Sequence, residues 1–184
     1  ALQEFAEALI DRAPEIEGDV ARLRKAPEER EITASLFRAA HNIKGDAALC
    51  KFDLGIAIAH PIETILARFR EGEVPFSELL AEMILLAVDR LELATDALLA
   101  HKSLESLNLA LLVQGLEALA QESAEQFDAA CADLIEAVTG FSPVIPDISS
   151  RPPPSSPPTP RPKNPRTAPP LFRSLALQFK SRSP

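Results

Sequence analysis

Residues 27–50 read PEEREITASLFRAAHNIKGDAALC, and the apolar positions in this stretch decide the fold. Ile32, Leu36, Ala40, Ile43, Ala47 and Cys50 follow one another at intervals of 4, 4, 3, 4 and 3. That spacing places them along one stripe of an α-helix, not on the alternating face of a strand. Pro27 suits the first turn of a helix, and Glu28, Glu29 and Glu31 suit the positive end of its dipole. A helix is therefore expected from about Pro27 to Cys50.

The flanking sequence repeats the pattern. Residues 1–25 carry Phe5, Leu9, Ile16, Val20 and Leu23, with Pro14 expected to kink the helix or split it. A third helix is expected from Asp53 as N-cap through Leu54, Ile58, Ile62, Ile65 and Phe69, with Arg68 and Arg70 in its last turn and Gly72 as its stop. A fourth follows Pro75 through Phe76, Leu80, Met83, Ala87, Leu91, Ala94 and Leu98. Ser103 suits the cap of a fifth, long helix running to about Val138, with a polar interval at Gln121 to Gln126 that marks a bend or an exposed stretch. Ala, Leu, Glu and Arg dominate, and no stretch alternates with period two. The expected fold class is all-α, an antiparallel four/five-helix bundle over 1–140 followed by a disordered C-terminal tail.

The chain has 184 residues, with 19 Lys plus Arg, 27 Asp plus Glu, 17 Pro and no Trp or Tyr. Residues 151–184 hold 11 of the Pro, seven bases and no acid, so residues 1–150 carry 12 bases against 27 acids, a charge of −15. A body so acidic repels phosphate backbones, which argues against a non-specific nucleic-acid partner. No run of 18 apolar residues is present, so no membrane insertion is expected. The first residues, ALQEFAEALIDR, are acidic and periodic, unlike a signal peptide. The chain lacks an initiating Met and reads as a fragment. Cys50 and Cys131 sit in apolar helical patterns and read as buried free thiols, which fits a cytoplasmic protein. Residues 141–170 read as a Pro-rich linker, and 171–184 as a short amphipathic segment that suits the start of a following domain.

The chemistry-bearing residues lie on the second and third helices. His41 and Lys44 are three apart and share a face, as do His60 and Glu63. Two adjacent helices can thus bring imidazole, ammonium, imidazole and carboxylate to one surface. Gly45 lies four residues after His41. A glycine inside a helix costs about 1 kcal/mol relative to Ala, and close approach of a large partner to the imidazole is a reason to keep it. The other glycines are expected mostly at helix ends or links. An imidazole whose tautomer is held by a carboxylate is a nucleophile at neutral pH, and a nearby ammonium attracts phosphoryl oxygens. The set suits reversible phosphorylation of a histidine. A metal site built from His41, His60 and Glu63 is a second reading, but the repeated Glu-x-x-His pattern of helical di-metal sites is missing. His101 is expected to have no site role.

The stretch Leu36 to Gly45, LFRAAHNIKG, resembles the phosphorylation motif of histidine phosphotransfer (HPt) domains, in particular the N-terminal phosphotransfer domain of bacterial chemotaxis-type histidine kinases. Ile58 to Glu63, IAHPIE, and Arg68 to Glu73, RFREGE, resemble the third helix of that family and its exit. The resemblance covers about residues 1–100. It implies that His41 is the phosphoacceptor, that Lys44 contacts the phosphoryl group, that Glu63 orients His41, that His60 lies in the same hydrogen-bond network, and that Gly45 keeps the docking face open. It implies a histidine kinase catalytic domain and a response-regulator receiver domain as partners, with nucleotide and Mg²⁺ chemistry left to them. No cofactor is expected, and nothing in the chain resembles an ATP-binding kinase domain. Two positions depart from the family. Pro61 stands inside the third helix, where it removes a hydrogen bond and is expected to disturb His60 or Glu63. Asp46 adds negative charge beside the site. The competing reading is a degenerate bundle of the same shape used only for docking or dimerisation.

Overall fold

The structure, a computed structural model, describes residues 1–143. The linker expected from 141 onward, save its first three residues, and the amphipathic segment expected at 171–184 lie outside the described residues. The described residues form six helices, α1 (Leu2–Lys25), α2 (Arg30–Leu49), α3 (Asp53–Arg70), α4 (Glu78–Leu99), α5 (Leu109–Leu119) and α6 (Ala124–Thr139), with one 3-10 turn at Glu105–Leu107. No strand occurs among the described residues. The all-α bundle expected from the periodicity is therefore the fold.

One core runs through all six helices. Phe5, Leu9, Ile16, Val20 and Leu23 of α1 meet Leu36 and Ile43 of α2, Ile58, Ile62 and Ile65 of α3, and Leu80, Met83 and Leu91 of α4. The α1 helix packs on α2 and α4, α2 on α3, α3 on α5, and α6 on α4 and α5. The α2–α3 pairing is the most extensive, and it carries the site.

Of the kink or split expected at Pro14, the split does not occur, since α1 runs on through it. Its ring lies on the solvent side of the helix, next to the exposed Ile10 whose carbonyl receives no N–H from Pro14, while Leu9, Ala13 and Ile16 are buried on the other side. Packing of that stripe holds the helix through the missing hydrogen bond. Pro61 is likewise accommodated, because α3 runs unbroken from Asp53 to Arg70. Pro27 does not open α2. The Glu29 N–H donates to the Ala26 carbonyl at 3.1 Å, so Pro27 is the second residue of a turn and the helix begins at Arg30. Asp53 is the first residue of α3, not its cap, and Phe52 holds the cap position.

The links are tight. After α2, α3 and α4 the chain turns through Lys51 (φ 54°), Gly72 (φ 80°) and His101 (φ 54°). Each turn closes the same pair of bonds, for example Glu73 N–H to the Arg68 carbonyl at 2.9 Å and Gly72 N–H to the Phe69 carbonyl at 3.1 Å. His101 is thus a helix-stop residue.

The expected long fifth helix is two helices. Ser103 accepts from the Glu105 N–H but opens only the 3-10 turn, and the chain breaks again between Leu119 and Ala124. Ser123 caps α6 by accepting from the Gln126 N–H. A continuous helix from 103 to 138 would span about 54 Å at 1.5 Å per residue and overrun its neighbours. Folding back buries both Leu112, Leu116 and Leu119 and Phe127, Cys131, Leu134 and Val138. Gly115 permits the resulting approach, since a Cβ there would collide with the Leu134 side chain. The glycines do not sort as expected either: Gly18, Gly45 and Gly115 all lie inside helices.

Candidate functional site

Two rows of side chains face each other across the α2–α3 seam. His41 and Lys44, one turn apart on α2, both point at Glu63 of α3. The His41 Nδ1 stands 3.0 Å from one Glu63 carboxylate oxygen, and the Lys44 ammonium donates to the other at 2.9 Å. One carboxylate bridges the two.

Electrostatics settle the proton. Burial alone would raise the Glu63 carboxyl, but hydrogen bonds from Lys44 and His41, with their charges, hold it below its ordinary 4.5. An ionised carboxylate only accepts, so Nδ1 carries the proton and donates to Glu63. In the neutral imidazole the lone pair is then on Nε2. The His41 side chain is 59% exposed whereas Glu63 is 17% exposed, so the anchoring oxygen is sheltered and the imidazole reaches into solvent.

Gly45 stands beside His41, and a Cβ built there would meet nothing within 4 Å. The chain's own packing does not demand glycine at 45, in contrast to Gly55, where a Cβ would stand 2.8 Å from that of Ala47. The empty space at Gly45 faces outward. Asp46 turns from His41 to α1, with a carboxylate oxygen 3.6 Å from the Arg12 guanidinium. Its charge is therefore offset by a cation.

His60 does not join the set. It is exposed, and its imidazole makes no hydrogen bond to His41, Lys44 or Glu63. It lines a surface groove with Ile56, Pro61 and Thr64 of α3 and Glu117 of α5. The metal reading, which needed His60 beside His41 and Glu63, loses its third ligand. Among the described residues no three His, Cys, Asp or Glu side chains stand close enough to hold a metal ion. Both cysteines are free: Cys131 is buried, and burial, then the charge of Asp128, pushes its thiol up to about 12. Cys50 is only half-buried, against expectation.

Two neighbours escaped sequence reasoning. The Phe37 ring lies nearly parallel to the His41 imidazole, with 17° between planes and centroids 6.3 Å apart. The Arg70 guanidinium carbon lies over the Phe37 ring, 4.4 Å from its centroid. The signals were present. Phe37 is one turn before His41, and Arg70 is two turns after Glu63, each on the face of its site partner.

No helix among the described residues is long and apolar enough to cross a membrane. A family model described as Hpt domain matches residues 2–140. The chain is also similar to the sensor histidine kinase CheAY of Helicobacter pylori (strain ATCC 700392 / 26695), with 24% identity over 88 residues. That alignment takes in 48% of this chain and 11% of the relative, so the chain spans only a small part of the relative's length.

Proposed function

Because the chain belongs to the Hpt domain family, whose business is histidine phosphotransfer in phosphorelay signalling, we propose that it is a phosphoryl carrier with Nε2 of His41 as the acceptor atom. The observation that supports this most is the bridging carboxylate: Glu63 holds the proton-bearing Nδ1 at 3.0 Å and leaves Nε2 exposed.

The steps follow from that tautomer. Nε2 attacks the γ-phosphorus of ATP held by a partner kinase. The P–O bond to ADP breaks, ADP leaves with the electron pair, and a P–N bond forms. The ring becomes cationic, and the Nδ1 proton stays in its bond to Glu63, which offsets the charge. Lys44, 2.9 Å from the other oxygen of Glu63, is placed to turn towards the phosphoryl oxygens. In the second step an aspartate oxygen of a receiver domain attacks phosphorus, and the P–N pair returns to Nε2. The open surface at Gly45 is where the receiver docks. In this reading a histidine kinase catalytic domain and a receiver domain are the partners, and His60 is peripheral to the chemistry.

The test is incubation of the chain with a histidine kinase and γ-labelled ATP. Label that is acid-labile, base-stable and lost in His41→Gln is the expected result. Label that persists in His41→Gln would place the acceptor at another residue, and a folded chain that no kinase labels would be a docking module of the same shape.

A further inference from the structure

A phosphoryl group on Nε2 brings about −1.5 to −2 charges to the surface at neutral pH. With the ring cationic and Glu63 ionised, Lys44 leaves the bridging set one net positive charge, which offsets the phosphoryl group only in part. Two guanidinium groups near the acceptor have no carboxylate partner among the described residues, Arg38 and Arg70. Arg38 lies three residues before His41, on the flank of α2 turned from Glu63 by the helical rotation. Arg70 lies two turns after Glu63 and on its face. The two helices therefore meet in two rungs, His41 with Glu63 and Phe37 with Arg70. The Phe37 ring neighbours both the Arg70 guanidinium, at 4.4 Å, and the imidazole, at 6.3 Å.

Resting on the phosphoacceptor reading of His41, we infer that Arg70 is a phosphoryl ligand held in reserve: it lies on the Phe37 face while His41 is free and moves one rung along to the phosphoryl oxygens once Nε2 is phosphorylated. Three properties carry this. Arg70 is exposed and at the end of its helix, so its side chain is free to swing. A cation on a half-buried phenyl face is held less firmly than by paired charge-assisted hydrogen bonds to a phosphate, which are among the strong polar contacts. The exchange therefore runs towards the phosphoryl group. The planar guanidinium also bonds two phosphoryl oxygens at once, which the Lys44 ammonium does not do. Phe37 serves as a positioning residue, since its ring keeps the guanidinium near the imidazole without neutralising it.

The experiment uses the full chain, phosphorylated with phosphoramidate or with kinase and ATP. In phosphoramidate the protonated amino group leaves as ammonia with the P–N pair while Nε2 forms the new P–N bond, so the donor brings no protein surface. The pH titration of the phosphohistidine is then followed by ³¹P NMR. Arg70→Ala is expected to raise the proton affinity of the phosphoryl group about tenfold, as loss of an adjacent opposite charge does. Arg70→Lys should recover part of the difference, and Arg38→Ala should stay within about twofold of the parent, as a charge farther off and screened by solvent does. The Arg70 Nε–H resonance should move on phosphorylation. An unchanged titration in Arg70→Ala overturns the inference, and so does an equal effect of Arg38→Ala, which would mean a general field and no ligand. Circular dichroism confirms that each variant is folded. Failure of the parent chain to accept phosphoryl from either donor is a different result, because it removes the phosphoacceptor reading itself.

Discussion

Glu63 does two things with one carboxylate, and each can be tested. One oxygen stands 3.0 Å from His41 Nδ1, and the other accepts from the Lys44 ammonium at 2.9 Å. Glu63→Gln keeps the size but loses the charge, so Nδ1 and Nε2 compete for the proton, and labelling of His41 should slow by about 10²-fold in a kinase assay. The carboxyl is held below its ordinary 4.5 in the folded chain. Its contribution to stability is therefore complete above that value and is lost as pH falls through the lower folded value. Denaturant titrations in mildly to strongly acidic buffer should show this loss in the parent chain and not in Glu63→Gln. Gly45 makes the opposite kind of prediction. Its surroundings are open, so Gly45→Ala should stabilise the helix by about 0.5–1 kcal/mol. In the same variant receiver-dependent loss of label should slow, and Gly45→Leu should abolish it with the helical circular dichroism intact. Faster transfer in Gly45→Ala would remove the docking role.

At the scale of the elements, the ends of the helices matter more than their interiors. His101 and Lys51 both adopt the left-handed conformation that glycine takes without cost, and both close a helix-stop turn. His101→Gly should therefore raise stability by about 1 kcal/mol, read as a higher urea midpoint with an unchanged slope. Gly72 already occupies the equivalent place after α3, which is why the stop predicted there was correct. The stops at 51 and 101 were hard to read, since a lysine or a histidine does not announce a turn. Helix interiors were read well because every stripe is a local pattern. Pro14 shows the limit of local rules: the break it favours was overridden by burial of Leu9, Ala13 and Ile16.

Across the whole molecule, the acidic character of the body is concentrated by packing. On the α1–α4 seam Glu92 is raised above its ordinary 4.5, first by burial and then by the nearby charges of Glu17, Asp89 and Asp96. A carboxyl raised by folding opposes stability at neutral pH, and the penalty fades as pH falls through its folded value. Glu92→Gln should therefore raise the Tm at pH 7, with the gain shrinking as the pH approaches 4.5. Equal Tm values at pH 7 would show that water screens the cluster. Arg24 of α1 meets Glu78 and Glu82 at the other end of the same seam, so the repulsion is local.

The sequence by itself determined that the chain is helical, where most of the helices run, and that His41, Lys44 and Gly45 share a turn. These are properties of spacing along one helix, and a 3.6-residue period places them without reference to anything else. Only the tertiary structure decided which groups meet across helices. His60 and Glu63, three residues apart, differ by about 60° in direction, and the angle at which α3 packs on α2 gave Glu63 to His41 and turned His60 to the groove beside α5. The same packing laid Arg70 over Phe37, paired Asp46 with Arg12, and folded the fifth helical stretch back on itself. The rotation of each helix about its axis is set by the core it buries, and that core is assembled from residues far apart in the chain.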